Sequence, residues 1–64
     1  MEKMLLNVEE MAQVLGIGRS KAYELVHSAG FPMIRIGRTM RIPKAQLEIW
    51  IKNETGREVM NEYN

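Results

Sequence analysis

The 64-residue chain has no cysteine, no aspartate and a single histidine, His27. Without cysteine there is no disulfide, no thiolate nucleophile and no thiolate zinc site. One histidine cannot build a metal site alone, and the lack of aspartate removes a Ser-His-Asp triad. No apolar run approaches the roughly 18 residues needed to span a bilayer, and no secretory leader opens the sequence. A chain this short buries only about 60% of its unfolded surface, so it supports one small core and stays marginal in stability. These absences predict a soluble, cytoplasmic domain with no catalytic residues, no metal, no cofactor and no membrane contact. The expectation is a binding domain and not an enzyme.

Charge is present, and it is unevenly placed. The formal net charge is only +1. Residues 1–15 carry a net −2, residues 16–46 a net +5, and residues 47–64 a net −2. The basic stretch holds Arg19, Lys21, Arg35, Arg38, Arg41 and Lys44 against Glu24 alone. A small domain polarised in this way can turn one basic face to a polyanion.

Two short helices are predicted first. Asn7 followed by Glu10 has the spacing of a capping box, in which the asparagine side chain accepts from a first-turn amide. Val8, Met11, Ala12 and Leu15 fall at i, i+3, i+4 and i+7, which sets them on one helical stripe. Gly16 stands where that helix would end, because glycine enters the left-handed conformation without steric cost. The first helix is thus expected over 8–15. After Ile17 and Gly18, the same spacing returns in Ala22, Leu25, Val26 and Ala29. With Gly30 as its C-terminal cap and Pro32 blocking continuation, the second helix is expected over 19–29. Two amphipathic helices joined by a glycine-containing turn are a helix-turn-helix unit. Met4, Leu5 and Leu6 before it fit either a strand stub or a segment packed on the core.

The period then changes. Ile34, Ile36, Met40 and Ile42 alternate with Arg35, Thr39 and Arg41 around Gly37 and Arg38, a hairpin pattern. A three-residue loop, Gly37-Arg38-Thr39, would pair Ile36 with Met40, Ile34 with Ile42 and Arg35 with Arg41, keeping the apolar residues on one face. A two-residue loop would mix apolar and charged residues on each face, so the three-residue loop is the expected register. It sets two arginines opposite each other on the outer face. Pro43 suits the first position of a third helix over 43–54, with Leu47, Trp50 and Ile51 as its stripe. Met11, Met33 and Met40 suit gaps in a small core, for which flexible thioethers are adapted. The expected fold is α+β and mostly helical, a small winged helix-turn-helix domain over residues 1–56 (helix-turn-helix, β-hairpin wing, closing helix). Residues 57–64 are expected to be a charged, frayed tail.

The runs Leu5-Leu6-Asn7-Val8-Glu9-Glu10-Met11-Ala12 and Leu15-Gly16-Ile17-Gly18-Arg19-Ser20-Lys21-Ala22-Tyr23 resemble the start of excisionase-type helix-turn-helix domains. The hairpin from Ile34 to Pro43, followed by Leu47-Glu48-Ile49-Trp50-Ile51, is similar to the wing and closing helix of that family, which is related to MerR-like winged domains and includes AlpA-like activators. The resemblance spans residues 5–52. Gly18 departs from it, since the family often has serine or threonine there as the cap of the second helix; glycine caps only a few tenths of a kcal/mol less well.

The resemblance implies duplex DNA as the partner. In a helix-turn-helix the N-terminal end of the second helix enters the major groove. Arg19, Ser20, Lys21, Tyr23 and Glu24 are then the expected recognition-helix residues, with paired guanine bonds or phosphate contacts from Arg19 and Lys21. Arg35, Arg38, Thr39 and Arg41 are the expected wing contacts, and Lys44 a phosphate contact. Trp50 is expected in the core. The implied function is that of a sequence-specific architectural factor that directs integrase-mediated excision of a mobile element, with an integrase or recombinase as protein partner. Such a chain would be a monomer in solution that assembles cooperatively on DNA. The alternatives are an AlpA-like transcriptional regulator and, from another class, a protein-interaction module such as an antitoxin or recombinase adaptor.

Overall fold

A computed structural model describes residues 3–56. In chain order these form β1 (Leu5–Leu6), α1 (Val8–Leu15), α2 (Arg19–Val26), β2 (Ile34–Ile36), β3 (Thr39–Pro43) and α3 (Lys44–Glu54). The α+β winged helix-turn-helix architecture anticipated from the sequence is the one found.

Local chemistry accounts for α1. The Glu10 amide donates to Asn7 Oδ1 at 2.7 Å, and the Asn7 amide donates to Glu10 Oε1 at 2.9 Å. The two bonds complete the capping box and satisfy backbone donors that a helix start leaves orphaned. At the other end Gly16 takes φ 70° and ψ 33°, and the Ile17 amide donates back to the Ala12 carbonyl at 3.0 Å. The chain thereby reverses tightly enough for α2 to pack on α1.

The core is assembled from every element except β2. Leu6, Val8, Met11, Ala12, Ala22, Leu25, Val26, Phe31, Ile42 and Leu47 are buried, with Met11, Ile42 and Leu47 almost wholly so. Leu15, Ile17, Tyr23, Met33, Met40 and Trp50 pack around them half-buried. No polar side chain is buried among the described residues. The segment around Met4–Leu6 proves to be a strand: β1 pairs antiparallel with β3, setting Leu5 opposite Pro43 and Leu6 opposite Ile42. The sheet order is β1-β3-β2, so β3 is central and β2 is an open edge.

Four expectations need correction. The hairpin closes on a two-residue loop, Gly37-Arg38, and pairs Ile34 with Arg41, Arg35 with Met40 and Ile36 with Thr39. The three-residue register assumed that the apolar alternation of β2 had a core to face. It has none, because all three β2 residues are exposed. The turn then decides the register, and Gly37 at φ 64° supplies the positive φ that a two-residue hairpin loop needs at its first position. Arg35 and Arg41 consequently lie on opposite faces, and the like-charge opposition does not arise.

Helix α2 ends at Val26, with His27 as its C-cap and not Gly30. Ser28 Oγ donates to the Leu25 carbonyl at 2.6 Å, and its amide donates to the same oxygen at 3.0 Å. A serine bonded to the backbone in this way competes with helix continuation. The early stop leaves Ala29 exposed and carries Phe31 into the core. Pro43 is the N-cap of α3 and the last residue of β3, one position outside the helix. Finally, of the stripe Leu47, Trp50 and Ile51, only Leu47 is fully buried. Trp50 is half-buried, with its ring edge-to-face on Phe31 at 5.0 Å between centroids, and Ile51 is exposed. The expected tail, 57–64, lies outside the described residues.

Candidate nucleic-acid interface

The first turn of α2 breaks an electrostatic rule. A helix N-terminus carries partial positive charge and favours acids. Helix α1 obeys, with Glu9 and Glu10 in its first turn. Helix α2 has no acid there and no side-chain cap from Gly18; its first turn instead carries Arg19 and Lys21. Cations kept where the helix dipole disfavours them are a local conflict of the kind found at functional positions.

Arg19, Ser20, Lys21 and Glu24 are exposed, and Tyr23 is half-buried against the core. The Tyr23 ring packs on the core and stays partly accessible. Arg19 is held on two sides. Its Nη2 lies 3.1 Å from Glu9 Oε2, and its guanidinium carbon lies 6.0 Å from the centroid of the Tyr23 ring. Glu9 lies off the apolar stripe of α1, and its sequence position signals no role. The Glu9–Arg19 contact crosses between helices, and nothing local in either segment signals it.

The wing approaches the same surface. Glu9, Tyr23, Arg38, Thr39 and Arg41 line one open cleft of about 190 Å³ between the start of α1, the middle of α2 and the hairpin tip. Arg38 and Thr39 are exposed at the tip. Arg41 is half-buried, and its Nη1 donates to the Met40 carbonyl at 2.8 Å. Arg35 is exposed on the other face of the hairpin and does not line this cleft. Lys44, half-buried, begins α3, where its amide donates to the Met4 carbonyl at 2.8 Å. The structure therefore brings Arg19, Tyr23, Arg38, Thr39 and Arg41 to one side and leaves Arg35 and Lys44 apart from that cleft.

The acids of α1 are tied down. Lys3 Nζ donates to Glu10 Oε2 at 2.6 Å. That bond and then the Asn7 backbone bond hold the Glu10 carboxyl below the usual carboxylate range against desolvation, with the nearby charges of Lys3 and Arg41 adding less. Among the described residues no cluster of acids or histidine could hold a metal ion, and no helix is long and apolar enough to cross a membrane.

A helix-turn-helix pair with a basic second helix, a β-hairpin wing and a closing helix defines a winged helix-turn-helix domain of the DNA-binding class. The model of the helix-turn-helix domain family matches residues 5–55. The chain is also 48% identical over 46 residues to a protein of Saccharopolyspora erythraea described as a probable excisionase, an alignment covering 72% of this chain and 47% of that protein. The chain belongs to the helix-turn-helix domain family. It spans about half the length of the curated relative it matches. No solved structure matches it significantly.

Proposed function

We propose that this chain is a sequence-reading duplex DNA-binding protein that directs integrase-mediated excision of a mobile element. The supporting observation is that Glu9 and Tyr23, which hold Arg19 of the first turn of α2, line one cleft with the wing residues Arg38, Thr39 and Arg41. The similarity to a probable excisionase adds the recombination context.

In this reading α2 lies in the major groove. Arg19, Ser20 and Lys21 reach base edges or phosphates, Tyr23 donates to a phosphate oxygen, and Glu24 accepts from a cytosine amine or sits at the groove edge. The wing lies along the backbone toward the minor groove, where Arg38 and Arg41 meet the strongest negative potential, with Thr39 beside them. Arg35 and Lys44 reach flanking phosphates only if the duplex bends around the domain. The role is architectural: the chain makes and breaks no bond. It acts in the cytoplasm as a monomer that assembles cooperatively on adjacent sites and recruits an integrase. Residues 1–56 are the DNA-binding unit.

The test is fluorescence anisotropy of a labelled genomic duplex from around the gene, titrated at several salt concentrations against a scrambled duplex. With about four to six phosphate contacts, log affinity should fall against log salt with a slope near −4 to −5. Preference for the genomic duplex with that slope supports a sequence reader. No binding at low salt overturns the proposal.

A further inference from the structure

The Arg19 guanidinium is held by groups from two helices. Glu9 reaches across from α1, and Tyr23 supports the group from one turn further along α2. Both members of the ion pair are largely solvated, with 72% of the Arg19 side chain and 50% of the Glu9 side chain exposed. Such a pair adds little to stability. What it does add is direction. An unpaired arginine at the start of a helix is a mobile cation that binds any phosphate within reach. A paired one keeps its fork in one orientation, and orientation is what a base edge requires.

Resting on the DNA-binding reading above, we infer that Glu9 is a positioning residue that turns Arg19 into a guanine reader. A guanidinium has five N–H donors. A carboxylate at Nη2 leaves enough of them to bond guanine O6 and N7 together, the commonest specific contact in the major groove. The Glu9 charge also faces the phosphates of any duplex, so it weakens binding to every sequence. Only a duplex with guanine at the matching position regains that loss. Specificity is a difference between affinities, and one carboxylate acts on both sides of it. The same charge supplies, from a neighbouring helix, the acid that the first turn of α2 lacks.

The experiment selects bound duplexes from a random-sequence pool with the parent chain, Glu9→Gln and Glu9→Asp, and sequences what is retained. The parent is expected to enrich a consensus containing a guanine that Glu9→Gln no longer requires, with the other positions retained. Against that consensus and its scrambled form, Glu9→Gln should lose about tenfold in specific-to-scrambled ratio, the lower range of what one paired guanine contact supplies. Its salt slope on the scrambled duplex should steepen by about one, as Arg19 turns to a phosphate. Glu9→Asp keeps the charge but shortens the reach, so it should lose the same guanine and steepen the slope in the same way, because Arg19 is released there too. If either variant keeps the full consensus and ratio, the positioning role is overturned. If the parent enriches no consensus, the sequence-reading function itself fails, which is a separate result. Circular dichroism melts of both variants exclude misfolding, and a folded Glu9→Asp suffices for the decision.

Discussion

The α1–α2 pair and the β2–β3 wing were built under different rules. In the helical pair each element has a buried face, and the apolar period sets its rotation: Val8, Met11 and Ala12 turn inward as their spacing requires. In the wing only β3 has a buried face, through Ile42, while β2 has none. Ile34 and Ile36 are 41% and 55% exposed although they alternate as core residues would. Alternation fixes register only where there is a core to alternate against. Without one, the turn chemistry of Gly37 prevails. The helical half is thus specified by burial, and the wing by its turn and by the single strand that anchors it.

Substitutions can break this contrast. The largest effect is expected where the wing joins the core. Ile42→Ala should cost about 2–5 kcal/mol as a large-to-small core change. In a domain this small that removes the cooperative thermal transition, as followed by circular dichroism. Ile34→Ser and Ile36→Ser, in the same hairpin, should each stay within about 0.5 kcal/mol, as exposed substitutions do. A loss comparable to that of Ile42→Ala would show that β2 is covered in solution.

The turn residues come next. Gly37→Ala must hold φ 64°, and nothing lies near enough to obstruct the added methyl, so the cost is backbone strain alone. About 1 kcal/mol is expected from denaturant midpoints. In the helical half, Asn7→Ala removes the cap and should cost about 1 kcal/mol as well. The two changes should separate in DNA titrations, where only Gly37→Ala disturbs the presentation of Arg38. Arg38→Ala should leave the melt unchanged and flatten the salt dependence of binding by about one unit, uniformly across sequences. An unchanged slope removes the wing tip from the interface.

The smallest effect is a pH dependence confined to the helical half. Glu10 titrates below its ordinary value of 4.5 in the folded chain because Lys3 and the Asn7 amide bond its ionised form. Its folded value lies under its unfolded one, so its stabilisation is complete above the unfolded value and declines as pH falls toward the folded one. Denaturant midpoints measured from pH 6 to pH 3 should fall, and Glu10→Gln should flatten that decline. A parallel decline in the variant would assign the acid sensitivity to other carboxylates.

The candidate site divides along the same line. Arg19, Lys21 and the wing arginines stand out in the sequence because they are basic and closely spaced. Their mutual arrangement does not. Arg35 and Arg41 were expected side by side, and the two-residue turn sends them to opposite faces. Glu9 showed only as a solvent-facing acid, because the distance from one helix to the next is absent from either helix's pattern.

What can be read along the chain is whatever depends on neighbours within a turn or two: the capping box of Asn7 and Glu10, the reversal at Gly16, the apolar stripes of α1 and α2, and the basic middle. These follow from dihedral preference and helical period, which act locally. Other features belong to the folded molecule alone: the pairing of β1 with β3, the burial of Phe31 under Trp50, the wing register, and the hold of Glu9 on Arg19. Each depends on which surfaces meet once the helices have packed. That outcome is set by the competition for the little apolar area a chain of this size can bury.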